Sequence, residues 1–178
     1  MWGMDREHRR EDYERYVAEF CETLRPKVLM WDNYPFSSTE GLDVYFYNMN
    51  LMREYAKRYD IPFWAFIQAG AQWNDEKKHF ESETPYFPSK EQFDWNVNTS
   101  LAFGAKGIQY FPLIQPEHFA FAGTEEVPEW DFNRNGIIGA NGQLNSWYYY
   151  AQEINAHIRV IDEVLMNSVH QGIIVTGE

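Results

Sequence analysis

The sequence has a single cysteine, Cys21, so no intrachain disulfide can form and a cysteine metal cluster is excluded. It has no cluster of Lys and Arg, and its formal net charge is −12. That balance repels phosphate backbones and anionic membrane surfaces, so nucleic acid and membrane are not expected partners. No apolar run reaches the length of a transmembrane helix, and the start Met-Trp-Gly-Met-Asp-Arg-Glu has no signal-peptide apolar region. A soluble chain is expected, with its compartment left open. No glycine-rich phosphate loop follows any candidate strand, which counts against a doubly wound nucleotide-binding fold. Repeats and low-complexity segments are also missing. Aromatic residues, by contrast, make up 18% of the chain, with seven Trp and twelve Tyr. Part of that is core. Flat rings with polar tips are also what carbohydrate sites use.

The stretch Ile61-Pro-Phe-Trp-Ala-Phe-Ile-Gln-Ala-Gly70 anchors the reading. It is short, apolar and bounded by turn residues, so it predicts a buried strand. Phe63, Ala65 and Ile67 fall on one face; Trp64, Phe66 and Gln68 fall on the other. Apolar residues on both faces point to a parallel sheet. Similar strands are expected near 27–32 and 106–112, alternating with helices near 6–23, 43–59, 90–103 and 144–166. Ser89 and Gln92 have the spacing of a capping box, and Gly104 is a helix stop. Gly172-Ile-Ile-Val-Thr176 reads as a last strand. The helix-to-strand connections are tight, whereas the strand-to-helix connections are long and rich in aromatic and polar residues. That asymmetry places function at the carboxyl ends of the strands, as in a (β/α) barrel. At 178 residues the chain is expected to be one domain, a partial barrel of three or four strand–helix units.

The stretches Val28-Leu-Met-Trp-Asp-Asn-Tyr-Pro35, Phe63-Trp-Ala-Phe-Ile-Gln68 and Gly104-Ala-Lys-Gly-Ile-Gln-Tyr-Phe111 resemble the last three barrel strands of clan A glycoside hydrolases. They are most similar to the family 42 beta-galactosidase-like group. The resemblance covers most of residues 27–166. It implies a sugar-binding cleft with Asp32 and Tyr34 from an Asp-x-Tyr-Pro strand end, and with Tyr110 from the last strand. It also places Gln68 where that family carries its nucleophilic Glu. An amide cannot serve as that nucleophile. The family's acid/base Glu belongs to a strand without a counterpart here. Retaining hydrolysis uses two carboxyl groups about 5 Å apart, so the chain alone is expected to be inactive.

The residues leave several assignments open. Asp32 can bind a sugar hydroxyl, act as a carboxylate catalyst or cap the following loop. Gln68 is read as a site residue, while mid-strand Gln109 is read as structural and Trp64 as core. Trp73, His79, Tyr86, Glu117 and His118 lie on long loops, where binding residues concentrate. Of these, Trp73, Glu117 and His118 join the expected site. Glu117-His118 has no third ligand at a recognisable spacing, and Asp131-Phe-Asn-Arg-Asn-Gly136 lacks the terminal Glu of a calcium loop. No metal or cofactor is therefore expected. A half-barrel would leave Met30, Trp64, Phe66 and Phe111 on an open inner face, so a homodimer through that face is expected alongside the carbohydrate ligand. The non-catalytic alternatives are a carbohydrate-binding remnant and a self-assembling protein.

Overall fold

The computed structural model describes residues 6–36, 42–70, 88–114 and 135–172. The elements run α1 (Arg6–Leu24), β1 (Leu29–Trp31), α2 (Leu42–Tyr59), β2 (Phe63–Gln68), α3 (Lys90–Ala102), β3 (Gly107–Phe111) and α4 (Ser146–Asn167). The strands form one sheet in the order β1-β2-β3, and both pairings are parallel. Leu29 pairs with Phe63, and Trp64 and Gln68 pair with Gly107 and Phe111. This is the expected α/β arrangement, with the sheet open rather than closed into a barrel. The expected last strand falls almost wholly outside the described residues.

Local sequence marks both ends of α3, a capping box at its start and Gly104 just past its end. The Ser89 hydroxyl accepts from the Gln92 backbone N–H while Gln92 Oε1 accepts from Ser89 N–H, so the capping box forms at the start of α3. Three positive φ values reverse the chain before or near a strand: 46° at Arg25, 52° at Asp60 and 96° at Gly104. After them the backbone re-enters the sheet at once, with Leu29 N–H donating to Pro62 and Lys106 N–H to Phe63.

Period-two alternation then decides what each strand touches. Trp31, Phe63, Ala65 and Ile67 are buried on the helix side. One core joins α1 and α2 to the first two strands through Val17, Cys21, Trp31, Tyr45, Met49 and Phe63. A second joins Ile67, Phe93, Val97, Trp147, Ala151 and Ile154 across α3 and α4. On the other face Met30 is 52% exposed and Phe111 43%, with Trp64, Phe66 and Gln109 half-buried between them. Gly107 belongs there too: a Cβ on it would sit 2.7 Å from the Trp64 indole, so only glycine lets that ring lie across the neighbouring strand. Among the described residues, no helix is long and apolar enough to cross a membrane.

Candidate functional site

The carboxyl ends of the strands converge at one corner of the face opposite the helices. Asp32 follows β1 directly and is exposed. Tyr34 stacks on Phe111 at the end of β3, with centroids 5.9 Å apart and planes 24° apart. Phe111 in turn meets Phe66 of β2 edge to face at 6.4 Å. Rings from the loop after β1, from β2 and from the end of β3 thus form one aromatic cluster beside a carboxylate. Burial first, and the Asp32 carboxylate second, push the Tyr34 phenol well above its usual range, so it stays protonated beside that carboxylate. Gln109, one pleat down, donates to Met30 Sδ at 3.4 Å and bridges β3 to β1 across the face.

Gln68 lies under this corner and is fully buried. Its Oε1 accepts from the Phe36 backbone N–H at 3.3 Å, and its Nε2 donates to the Gly70 carbonyl at 3.2 Å. The amide therefore joins the loop after β1 to the turn after β2. Its own N–H donates to Asn96 Oδ1 on α3 at 3.1 Å, and Asn96 Nδ2 donates to the Tyr45 hydroxyl on α2 at 2.8 Å. One polar chain runs from α2 through α3 to the strand end. Burial pushes Tyr45 up to about 12, with hydrogen bonds from Ser100 and Asn96 opposing. Beside Gly70 the packing leaves no room: a Cβ there would lie 2.5 Å from Asn135 Oδ1 and 2.9 Å from Pro112 Cδ. The turns after β2 and β3 are held together, with Ala69 N–H donating to the Phe111 carbonyl at 2.8 Å.

Of the expected site residues, Asp32, Tyr34 and Gln68 come together at this corner. Tyr110 does not. Alternation turns it to the helix side, where it stacks on Phe93 at 5.4 Å and donates to Asn155 Oδ1 at 2.8 Å. The structure thus separates Tyr110 from Asp32, and Phe111 is the β3 ring on the face with Tyr34 and Phe66. Asn96 was missed. The signal was available, because Phe93, Asn96, Val97 and Ser100 form a single buried helical stripe, and a polar residue in such a stripe must have a partner. Trp73, Glu117 and His118 lie outside the described residues, as do His79, Tyr86 and residues 131–134 of the calcium-like stretch. Among the described residues, no group of three or more His, Cys, Asp or Glu side chains is placed to share a metal ion. No protein-family model, curated protein or solved structure matches the chain.

Proposed function

We propose that the chain is a carbohydrate-binding segment of a glycoside hydrolase-like barrel, lacking hydrolytic activity by itself. The observation that carries this reading is the Tyr34–Phe111–Phe66 cluster beside Asp32 at the strand ends, with Phe111 partly exposed. An exposed aromatic ring covers the apolar C–H face of a pyranose, and an adjacent carboxylate accepts from its hydroxyls. Hydrolysis is not supported by the same corner. The strand end that would need a carboxylate carries Gln68, whose amide is committed to backbone groups on two loops. The first test is tryptophan fluorescence during titration with methyl β-galactoside and a panel of other methyl glycosides. Saturable quenching is expected, and Phe111→Ala should weaken it by up to about tenfold, the range of one aromatic contact. No saturable response to any glycoside sinks the reading. In parallel, aryl-galactoside turnover of about 1 per second or faster would show that the corner is catalytic after all.

The uncovered face supports a second property, self-association. Met30, Trp64, Phe66 and Phe111 present apolar surface, and among the described residues β1 and β3 each have an edge unpaired within the sheet. Burying such side chains is worth roughly 1.5–3 kcal/mol each. Two copies docked about a two-fold axis cover the same patch on both. The charge of −12 opposes approach but is screened beyond about 8 Å at physiological salt. Sedimentation velocity at tens of micromolar should show a dimer, and Phe66→Glu should split it. A wild-type monomer under those conditions removes this part of the proposal and leaves the sugar reading standing.

A further inference from the structure

The segment after α4 is tied down at the amino end of the sheet, opposite the candidate site. Lys106, just before β3, donates from Nζ to the carbonyl oxygens of Leu165 at 2.5 Å and Ser168 at 2.6 Å. Carbonyls at a helix C-terminus have no intrahelical partner, so this lysine closes the end of α4. Two residues beyond Ser168, the His170 ring lies flat on Phe103, with centroids 5.3 Å apart and planes 10° apart. Its Nδ1 is 2.6 Å from Arg53 Nη1 on α2. A guanidinium only donates and keeps its proton. Nδ1 is therefore the acceptor, and this contact exists only with a neutral imidazole.

The geometry points to a pH-operated latch in which neutral His170 holds residues 169–172 against Phe103 and Arg53, and protonated His170 lets them go. Protonation sets N–H against N–H at the same 2.6 Å and places two cations in contact. The surrounding charges do not relieve this. Arg53 and Lys57 of α2 and Lys106 line the same cleft of about 340 Å³, against Asp60 from the turn before β2. Glu54 is near but already pairs with Arg53. Burial, and then Arg53, lower the His170 pKa from its ordinary value, while Glu54 opposes. The sign follows. A depressed value favours the neutral ring in the folded chain, so the latch is fully closed above about pH 6.5. It opens as pH falls through the folded value below that. The Lys106 bonds to Leu165 and Ser168 have backbone partners that do not titrate, so release begins after Ser168.

Backbone 15N relaxation of the intact chain tests this. At about pH 8, order parameters at Val169, His170 and Gln171 should approach the rigid value of roughly 0.85, and at about pH 5 they should fall below roughly 0.6. Leu165 should not change. In His170→Asn the side-chain oxygen replaces Nδ1 as acceptor and does not titrate, so the segment should stay ordered at both pH values. Order that does not change with pH in the wild-type chain overturns the latch. So does an equal loss of order in His170→Asn, which would assign the effect to another group. Neither outcome bears on the sugar site at the opposite end of the sheet.

Discussion

Replacing Gln68 by Glu should lower stability by about 3 kcal/mol at neutral pH, with no gain of glycosidase activity. The substitution exchanges the Nε2 donor for an oxygen. That oxygen then faces the Gly70 carbonyl, which Nε2 met at 3.2 Å, at a fully buried position. The other oxygen can still accept from Phe36 N–H. Burial and the opposing carbonyl both disfavour the charged form, so the folded-state value of the new carboxyl rises above its unfolded value of about 4.3. The folded variant therefore binds its proton more tightly than the unfolded chain. Its deficit should be small near pH 4, where a protonated carboxyl can donate to Gly70, and should grow as pH rises through the folded value. For a chain of this length the neutral-pH loss corresponds to a fall in Tm of roughly 6–12 °C. Urea unfolding at both pH values decides the matter. A pH-independent deficit, or none, would show that the Gln68 amide is not the joint between the two loops.

Asn96→Leu should cost a similar amount, about 3 kcal/mol, although it keeps the side-chain size and adds apolar character. The loss comes from the two groups left behind. The Gln68 backbone N–H loses its acceptor, and the Tyr45 hydroxyl, which keeps Ser100, loses a donor that lies 2.8 Å away. Each buried polar group without its partner costs roughly 1–3 kcal/mol. Tyr45→Phe in the same background separates the two contributions. It should recover about 1 kcal/mol of coupling, because the hydroxyl no longer needs the amide. A loss below about 1 kcal/mol for Asn96→Leu would mean that the polar chain from α2 to the strand end is not what fixes Gln68.

The strands, their parallel pairing and both ends of α3 were legible in the sequence because each rests on a local rule. Alternation in Phe63–Gln68 gives the two faces, the Ser89/Gln92 spacing gives the start of α3, and Gly104 gives its end. β1 came out shorter than the expected 27–32 because pairing with β2 begins only at Leu29. Arg25 at positive φ was not legible, since arginine does not announce that conformation, whereas Asp60, read only as a turn residue, is of a type enriched there. At the strand ends, the same alternation separates Phe111 from Tyr110, and applied residue by residue it puts Tyr110 on the helix side. The link from Gln68 through Asn96 to Tyr45 was not legible, because it joins positions 28 and 51 residues apart that only the packed helices bring together.

Strand order in this sheet is the order of the chain, β1-β2-β3, and the helices follow suit, with α1 against α2 and α3 against α4. Each unit therefore rests on the one synthesised just before it. Such a layer behaves like a linear array, in which order can propagate from one unit to the next without waiting for distant segments to meet. The nascent chain can then assemble as it emerges, with α1, β1 and α2 packed before β3 has been made.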